Sequence, residues 1–197
     1  MAEKEEKRDA GFVRLRRAAV VVLAMILIVS LGTAAYFRLT QSQSGEMMPP
    51  DEWYGEIYAY RTESASDEGK LRGVLERLPV PAKMNATGDI ELTDDEERGK
   101  RLRVYYTCLG SSADLLDVLD NRGRLDICGA AVFSLVGDLD HVSFVIAGKD
   151  DETVIPYGRE GVNTNADEDV FAGTTSPEQL RIYCRRILDI HNASYNH

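Results

Sequence analysis

The feature that most constrains this chain is an unbroken apolar run, Ala18–Phe37 (AAVVVLAMILIVSLGTAAYF), which has no charged residue in 20 positions. Wound as an α-helix, a run of that length spans about 30 Å, the thickness of a bilayer's hydrocarbon core. A helix packed in a soluble core normally keeps a polar stripe, and this run has none. Lys4, Lys7, Arg8, Arg14, Arg16 and Arg17 precede it, whereas after Arg38 the next basic residue is Arg61. The positive-inside rule therefore puts residues 1–17 in the cytoplasm as a short N-terminal segment. It makes residues 18–37 a single-pass transmembrane signal anchor in the cell membrane and places the C-terminal domain outside. A cleavable signal peptide is the competing reading, since Gly32, Thr33, Ala34 and Ala35 supply small residues near a cut site. The run is longer than the apolar core of about 7–15 residues typical of such peptides, which favours the uncleaved anchor.

Charge divides along the same boundary. Residues 1–38 carry 7 basic and 4 acidic residues, and residues 39–197 carry 16 basic and 29 acidic, a net charge of -13 for the exported part. Such acidity excludes electrostatically driven nucleic-acid binding and speaks first for solubility outside the cell. Three cysteines are too few for a disulfide scaffold and odd in number.

Residues 38–55, rich in Gln, Ser, Gly and Pro, read as a linker. Trp53 and Tyr54 near its end are expected to pack on the domain that follows. Residues 56–191 read as one exported domain. Glu56 to Tyr60 is expected to be a first strand. Ser64 or Ser66 then caps a helix whose buried face is Leu71, Val74, Leu75 and Leu78, and Pro79 and Pro81 stop it. Residues 88–108 alternate with period 2 and predict a hairpin, with Cys108 facing the core. Ser112 to Leu119 predicts a short helix ended by Asn121-Arg122-Gly123. Leu125 to Val136 is apolar nearly all round, and its length and Ala content favour a helix packed on both sides. Val142, Phe144 and Ile146 predict a strand paired with Thr153 to Ile155. Residues 158–175 are expected to be mostly loop. Ser176, Pro177 and Gln179 open a last helix with Leu180, Tyr183, Cys184, Ile187, Leu188 and His191 on one face. Residues 192–197 read as a polar tail. The fold class expected is α+β, a compact domain whose antiparallel sheet is packed by helices.

Three stretches carry a family resemblance: Lys70–Pro81 (KLRGVLERLPVP), Ile90–Tyr106 (IELTDDEERGKRLRVYY) and Gly129–Phe144 (GAAVFSLVGDLDHVSF). Together they resemble domain of unknown function 4825, a family of exported or membrane-anchored proteins found mainly in Gram-positive bacteria. The resemblance covers roughly residues 60–190. It departs at Tyr60-Arg61-Thr62-Glu63, where the family often shows Tyr-Ile-Gly-Asp-Asn, and at Asp138, where the family has Asn. The resemblance implies a role in the bacterial cell envelope and carries over no catalytic residues.

The residues that bear chemistry form no recognisable motif. His141, His191 and His197 lack zinc-ligand spacing, so no metal is assigned. Cys108, Cys128 and Cys184 each lie in an apolar pattern and read best as small buried hydrophobes, although Cys108–Cys184 and Cys128–Cys184 bridges remain open. Asn163–Asp169 resembles the start of a calcium loop, but Glu168 and Thr174 occupy the positions that need Gly and a bidentate acid. Ser134 is not in a nucleophile elbow, and Cys128 with His141 has no orienting partner. Tyr105 and Tyr106 point to opposite faces of one strand. No catalytic, cofactor-binding or metal residue is therefore assigned, and no cofactor is expected. The expected function is a non-enzymatic binding, sensory or protein-interaction module of the cell envelope, held in the membrane by residues 18–37 and acting with a membrane protein partner. The alternatives are an exported enzyme or enzyme inhibitor with a site assembled only in the fold, and a structural envelope protein.

Overall fold

The structure, a computed structural model, describes residues 48–116 and 119–195. The apolar run Ala18–Phe37, the cytoplasmic segment and most of the linker lie outside the described residues. Among the described residues no helix is long and apolar enough to cross a membrane.

Helix α1 (Asp51–Tyr58) starts after Pro50, with Asp51 and Glu52 in its first turn, where carboxylates meet the positive helix end. Its inward residues Tyr54 and Ile57 are three apart and both buried. The strand expected at Glu56–Tyr60 is therefore the end of a helix that begins inside the presumed linker. Its helical period was masked because the inward Tyr54 fell on the linker side of that boundary. Trp53 and Tyr54 do pack on the domain, and the Trp53 indole donates to the Arg77 carbonyl. Helix α2 (Glu68–Leu75) buries Leu71, Val74 and Leu75, with Leu78 just beyond, as their spacing predicts. Its cap is Asp67 rather than either serine: the carboxylate accepts from the Lys70 amide at 3.1 Å.

Four strands form one mixed sheet in the order β1 (Met84–Asp95), β2 (Gly99–Cys108), β3 (His141–Ala147), β4 (Glu152–Gly158). The two hairpins, β1–β2 and β3–β4, are antiparallel as expected. The wholly antiparallel sheet is not what forms, because β2 and β3 pair in parallel, with Leu102 opposite Val142 and Val104 opposite Phe144. The reason is the connection. Residues 109–140 carry α3 (Ser112–Leu116) and α4 (Leu119–Leu135), and this helical crossover carries the chain from the end where β2 stops back to the end where β2 began, so β3 runs in the same direction.

Helix α4 is the hub of the core. Ile127, Cys128, Ala131, Val132, Phe133 and Leu135 are wholly buried. It begins earlier than the apolar run suggests, and Asn121-Arg122-Gly123 lies inside it rather than ending the helix before. The loop expected over 158–175 contains α5 (Arg159–Ala166) and α6 (Val170–Gly173). The residues that read as loop are the caps of these short helices. Asp167 closes α5 in the left-handed conformation at φ 59°, and Asp169 accepts from the Phe171 and Ala172 amides to open α6. Helix α7 (Pro177–Tyr195) starts as expected, with the Ser176 hydroxyl accepting from the Gln179 amide at 3.2 Å, but continues through most of the presumed tail.

The helices cover one face of the sheet. Leu102, Val104 and Tyr106 of β2 and Val142, Phe144 and Ile146 of β3 point into the core. The alternate residues face outward; Arg103, His141, Val154 and Pro156 are exposed, Arg101 and Ser143 half-buried, and Val145 buried among its neighbours. Asp138, after α4, ties the sheet to the segment between α1 and α2: it accepts from the Ala65 amide and Ser64 hydroxyl at 2.7 Å and pairs with Lys100 Nζ at 2.5 Å. Burial alone would raise its carboxyl, but the Lys100, Ala65 and Ser64 donors outweigh burial and hold it below the usual carboxylate range. This contribution to stability is present above the ordinary carboxylate pKa and is lost as pH falls through the lower, folded value.

Gly73 in α2 gives way to an aromatic ring. A Cβ there would lie 1.9 Å from a Tyr60 ring carbon, while the Arg77 guanidinium sits 4.2 Å from the same ring centre. Gly55 in α1 faces open space. Gly55→Ala is therefore expected to stabilise by about 0.5–1 kcal/mol through helix propensity. Gly73→Ala is expected to destabilise by about 1 kcal/mol, since overpacking outweighs the same propensity gain. Urea denaturation of both variants checks the opposite signs. A stabilised Gly73→Ala protein would show that the Tyr60 ring does not rest there.

Candidate functional site

One charged residue, Asp126, interrupts the buried run of α4, and a polar cluster that borders a cleft is built on it. Asp126 lies one turn before Gly129. Because Gly129 has no side chain, the Tyr157 ring from β4 closes onto the helix, and a Cβ at Gly129 would be 3.0 Å from that ring. The Tyr157 hydroxyl then donates to Asp126 Oδ1 at 2.8 Å. The other carboxylate oxygen, Oδ2, is 2.7 Å from Nδ1 of His191, a 7% exposed residue on the inward face of α7. One carboxylate thus joins the sheet, the central helix and the last helix. An acceptor at that distance fixes the imidazole proton on Nδ1 and sets the ring's orientation. Burial, followed by the charge and hydrogen bond of Asp126, pushes the Tyr157 phenol far above its ordinary value, so it stays a neutral donor.

These three side chains form the polar end of a cleft of about 480 Å³, whose apolar wall includes Ile155, Val162 and Ile187. The size and the mixture of apolar wall and convergent polar groups are those of a small-molecule or peptide-side-chain site. Ser194 also lines the cleft, but its hydroxyl donates to the Ile190 carbonyl at 2.9 Å within α7. The cleft therefore presents an oriented imidazole and a donor–acceptor network, and the Ser194 hydroxyl is committed to its own helix rather than to a nucleophile's role.

The residues singled out from the sequence are dispersed. His141 lies on the open face of the sheet, while Cys128 is buried beneath the other face with its thiol toward the Pro79 carbonyl, so the two do not meet. All three cysteines are free thiols. Burial pushes the Cys184 thiol up to about 12 and raises that of Cys128 further. Cys108 packs against the edge of the core as expected, half-buried, with its thiol 3.4 Å from the Gly110 carbonyl. Ser134 is wholly buried in α4. In the calcium-like stretch, Asn163 accepts from the Val170 amide, Asp167 pairs with Arg186, and Asp169 caps α6, so these oxygens serve the helix ends. No group of three or more His, Cys, Asp or Glu among the described residues is placed to hold a metal ion. His197 lies outside the described residues.

His191 is on the face its periodicity assigns. Asp126 and Tyr157 were not legible as its partners. The available signal was a lone carboxylate within Leu125–Val136, since a charge in a buried helix needs partners. Comparisons with family models, with curated proteins and with solved structures find no match.

Removing Asp126 takes the acceptor from two donors, whereas removing the Tyr157 hydroxyl frees one of two acceptor oxygens. Asp126→Ala is expected to cost about 2–4 kcal/mol and Tyr157→Phe about 1 kcal/mol. Urea denaturation of the two variants checks the ratio, and equal losses would show that Asp126 does not serve both partners.

Proposed function

We propose that the chain is a membrane-anchored, extracytoplasmic binding module of the bacterial cell envelope, similar in kind to domain of unknown function 4825, and that it acts with a membrane protein partner. The observation that carries the binding reading is the Asp126–Tyr157–His191 cleft. Asp126, Tyr157 and His191 already lock one another beside the apolar side chains of Ile155, Val162 and Ile187, so this end of the cleft is preorganised to receive a group. The anchor reading rests on Ala18–Phe37 and its basic flank.

A second reading, an exported hydrolase, draws on one observation: Asp126 orients His191 as the acid of a catalytic triad orients its base. That reading needs a nucleophile within reach of the imidazole. The Ser194 hydroxyl is instead bonded to its own helix, which favours binding over catalysis.

Gly161 in α5 lines the cleft, and a side chain there would meet open space. Gly161→Trp should therefore fill the cleft without disturbing the core. Crosslinking of the full-length chain in native membranes is expected to capture a specific partner. That capture should be lost when residues 39–197 are removed and should fall at least about tenfold, the loss of roughly 1.4 kcal/mol, in Gly161→Trp. A partner captured equally by the Trp variant would remove the cleft from the interaction. Capture of background proteins alone would contradict the module.

A further inference from the structure

The open face of the sheet carries an ordered array that the cleft does not use. Register places Thr93, Arg101 and His141 side by side across β1, β2 and β3, and Glu91, Arg103 and Ser143 in the next outward-facing row. Pro156 of β4 lies beside Ser143. Together they line a groove of about 310 Å³ on the side opposite the helices.

The two arginines differ in their partners. Arg103 is neutralised in place: its guanidinium is 3.3 Å from Glu91 Oε2, and the same oxygen accepts from the Tyr105 hydroxyl at 3.0 Å. Arg101 has no such partner. Its Nε is fully shielded from solvent and finds no acceptor among the described residues, and no ion pair there involves it. A shielded guanidinium N–H without an acceptor costs free energy, and such a group in a native protein calls for a ligand or ordered solvent. With the Arg103–Glu91 pair neutral, the groove's fixed charge is the single positive charge of Arg101. The hydroxyls of Thr93 and Ser143 and the imidazole of His141 surround it as further hydrogen-bonding groups.

We propose that this groove binds a carboxylate. The planar guanidinium of Arg101 lines the groove and offers its two Nη–H groups end-on, in the spacing that matches two carboxylate oxygens. One uncompensated charge suits a monoanion rather than a phosphate dianion. The volume lies at the small end for ligand sites, so the carboxylate belongs to a small molecule or to the last residues of a peptide. The acidity of the exported part does not prevent this, because fields from distant surface charges are screened within about 8 Å at physiological salt.

The test is an NMR titration of the full-length chain in non-ionic detergent micelles, following the arginine Nε–H signals. The probes are sodium propionate, N-acetyl-dialanine with a free C-terminus, and inorganic phosphate. Propionate is expected to shift the Arg101 Nε–H signal saturably, with weaker binding of phosphate. Arg101→Gln should raise the dissociation constant about tenfold, the loss of one charge-assisted hydrogen bond. Arg101→Lys, which keeps the charge without the fork, should bind more weakly than the wild-type chain. Arg98→Gln, on the exposed β1–β2 turn, should bind like the wild-type chain. Tighter binding of the dipeptide than of propionate would assign the site to a peptide terminus, and equal binding to a small molecule. No saturable shift at Arg101, equal binding by all variants, or phosphate binding tighter than both carboxylates would overturn the proposal.

Discussion

The fold turns on how the C-terminal end of α4 is closed. A helix leaves its last carbonyls without intrahelical partners, and the end of α4 is buried too deeply for water to supply them. Arg159 does so from a distance in sequence. Its guanidinium donates to the carbonyls of Phe133 at 3.2 Å, Val136 at 2.6 Å and Leu139 at 2.6 Å. Its amide donates to the Asp140 carbonyl at 2.9 Å. A cation at the negative end of the helix dipole adds to these bonds. Because Arg159 is the first residue of α5 and follows β4 directly, the same side chain fixes the exit of the central helix, the turn into β3 and the far edge of the sheet.

The two candidate sites follow from that closure. With α4 held against one face of the sheet, Asp126 lies beneath Tyr157 and beside His191, and the cleft opens where β4, α5 and α7 diverge. Among the described residues the helices pack on this side, and Arg103, His141, Val154 and Pro156 are left exposed on the other. An exposed antiparallel face ordinarily shows scattered polar residues. Here the parallel β2–β3 pairing aligns Arg101 with His141, and Arg103 with Ser143, in register. An antiparallel β2–β3 pair would have aligned different residues, so the groove depends on the crossover through α4.

The parts of the fold legible in the sequence were those governed by local periodicity. The β1–β2 hairpin, the β3–β4 hairpin, the buried faces of α2 and α7 and the Ser176 cap were all read from spacing, because period 2 and period 3.6 report burial directly. Three features were not. The start of α1 was hidden because Pro50 and its neighbours resemble a linker. The segment 158–175 looked like loop because its Gly, Asn and Asp residues are helix caps, which have the composition of turns. The parallel pairing was hidden because strand direction depends on the path of the connection rather than on the strands. The Asp126 cluster was illegible for a similar reason: its members are separated by 31 and 65 residues. Each of them, read alone, belongs to an apolar pattern.

The claim that Arg159 organises the domain is tested most directly by urea denaturation of Arg159→Met beside the wild-type chain. Methionine keeps most of the side chain's apolar length but leaves three carbonyls without donors. Hydrogen bonds to charged groups contribute about 1.5–3 kcal/mol each, and an orphaned buried acceptor costs about 1–3 kcal/mol. The account predicts a loss of at least about 3 kcal/mol, with an unchanged dependence on urea concentration. A loss below about 0.5 kcal/mol would show that the end of α4 is closed by other means and would contradict the account.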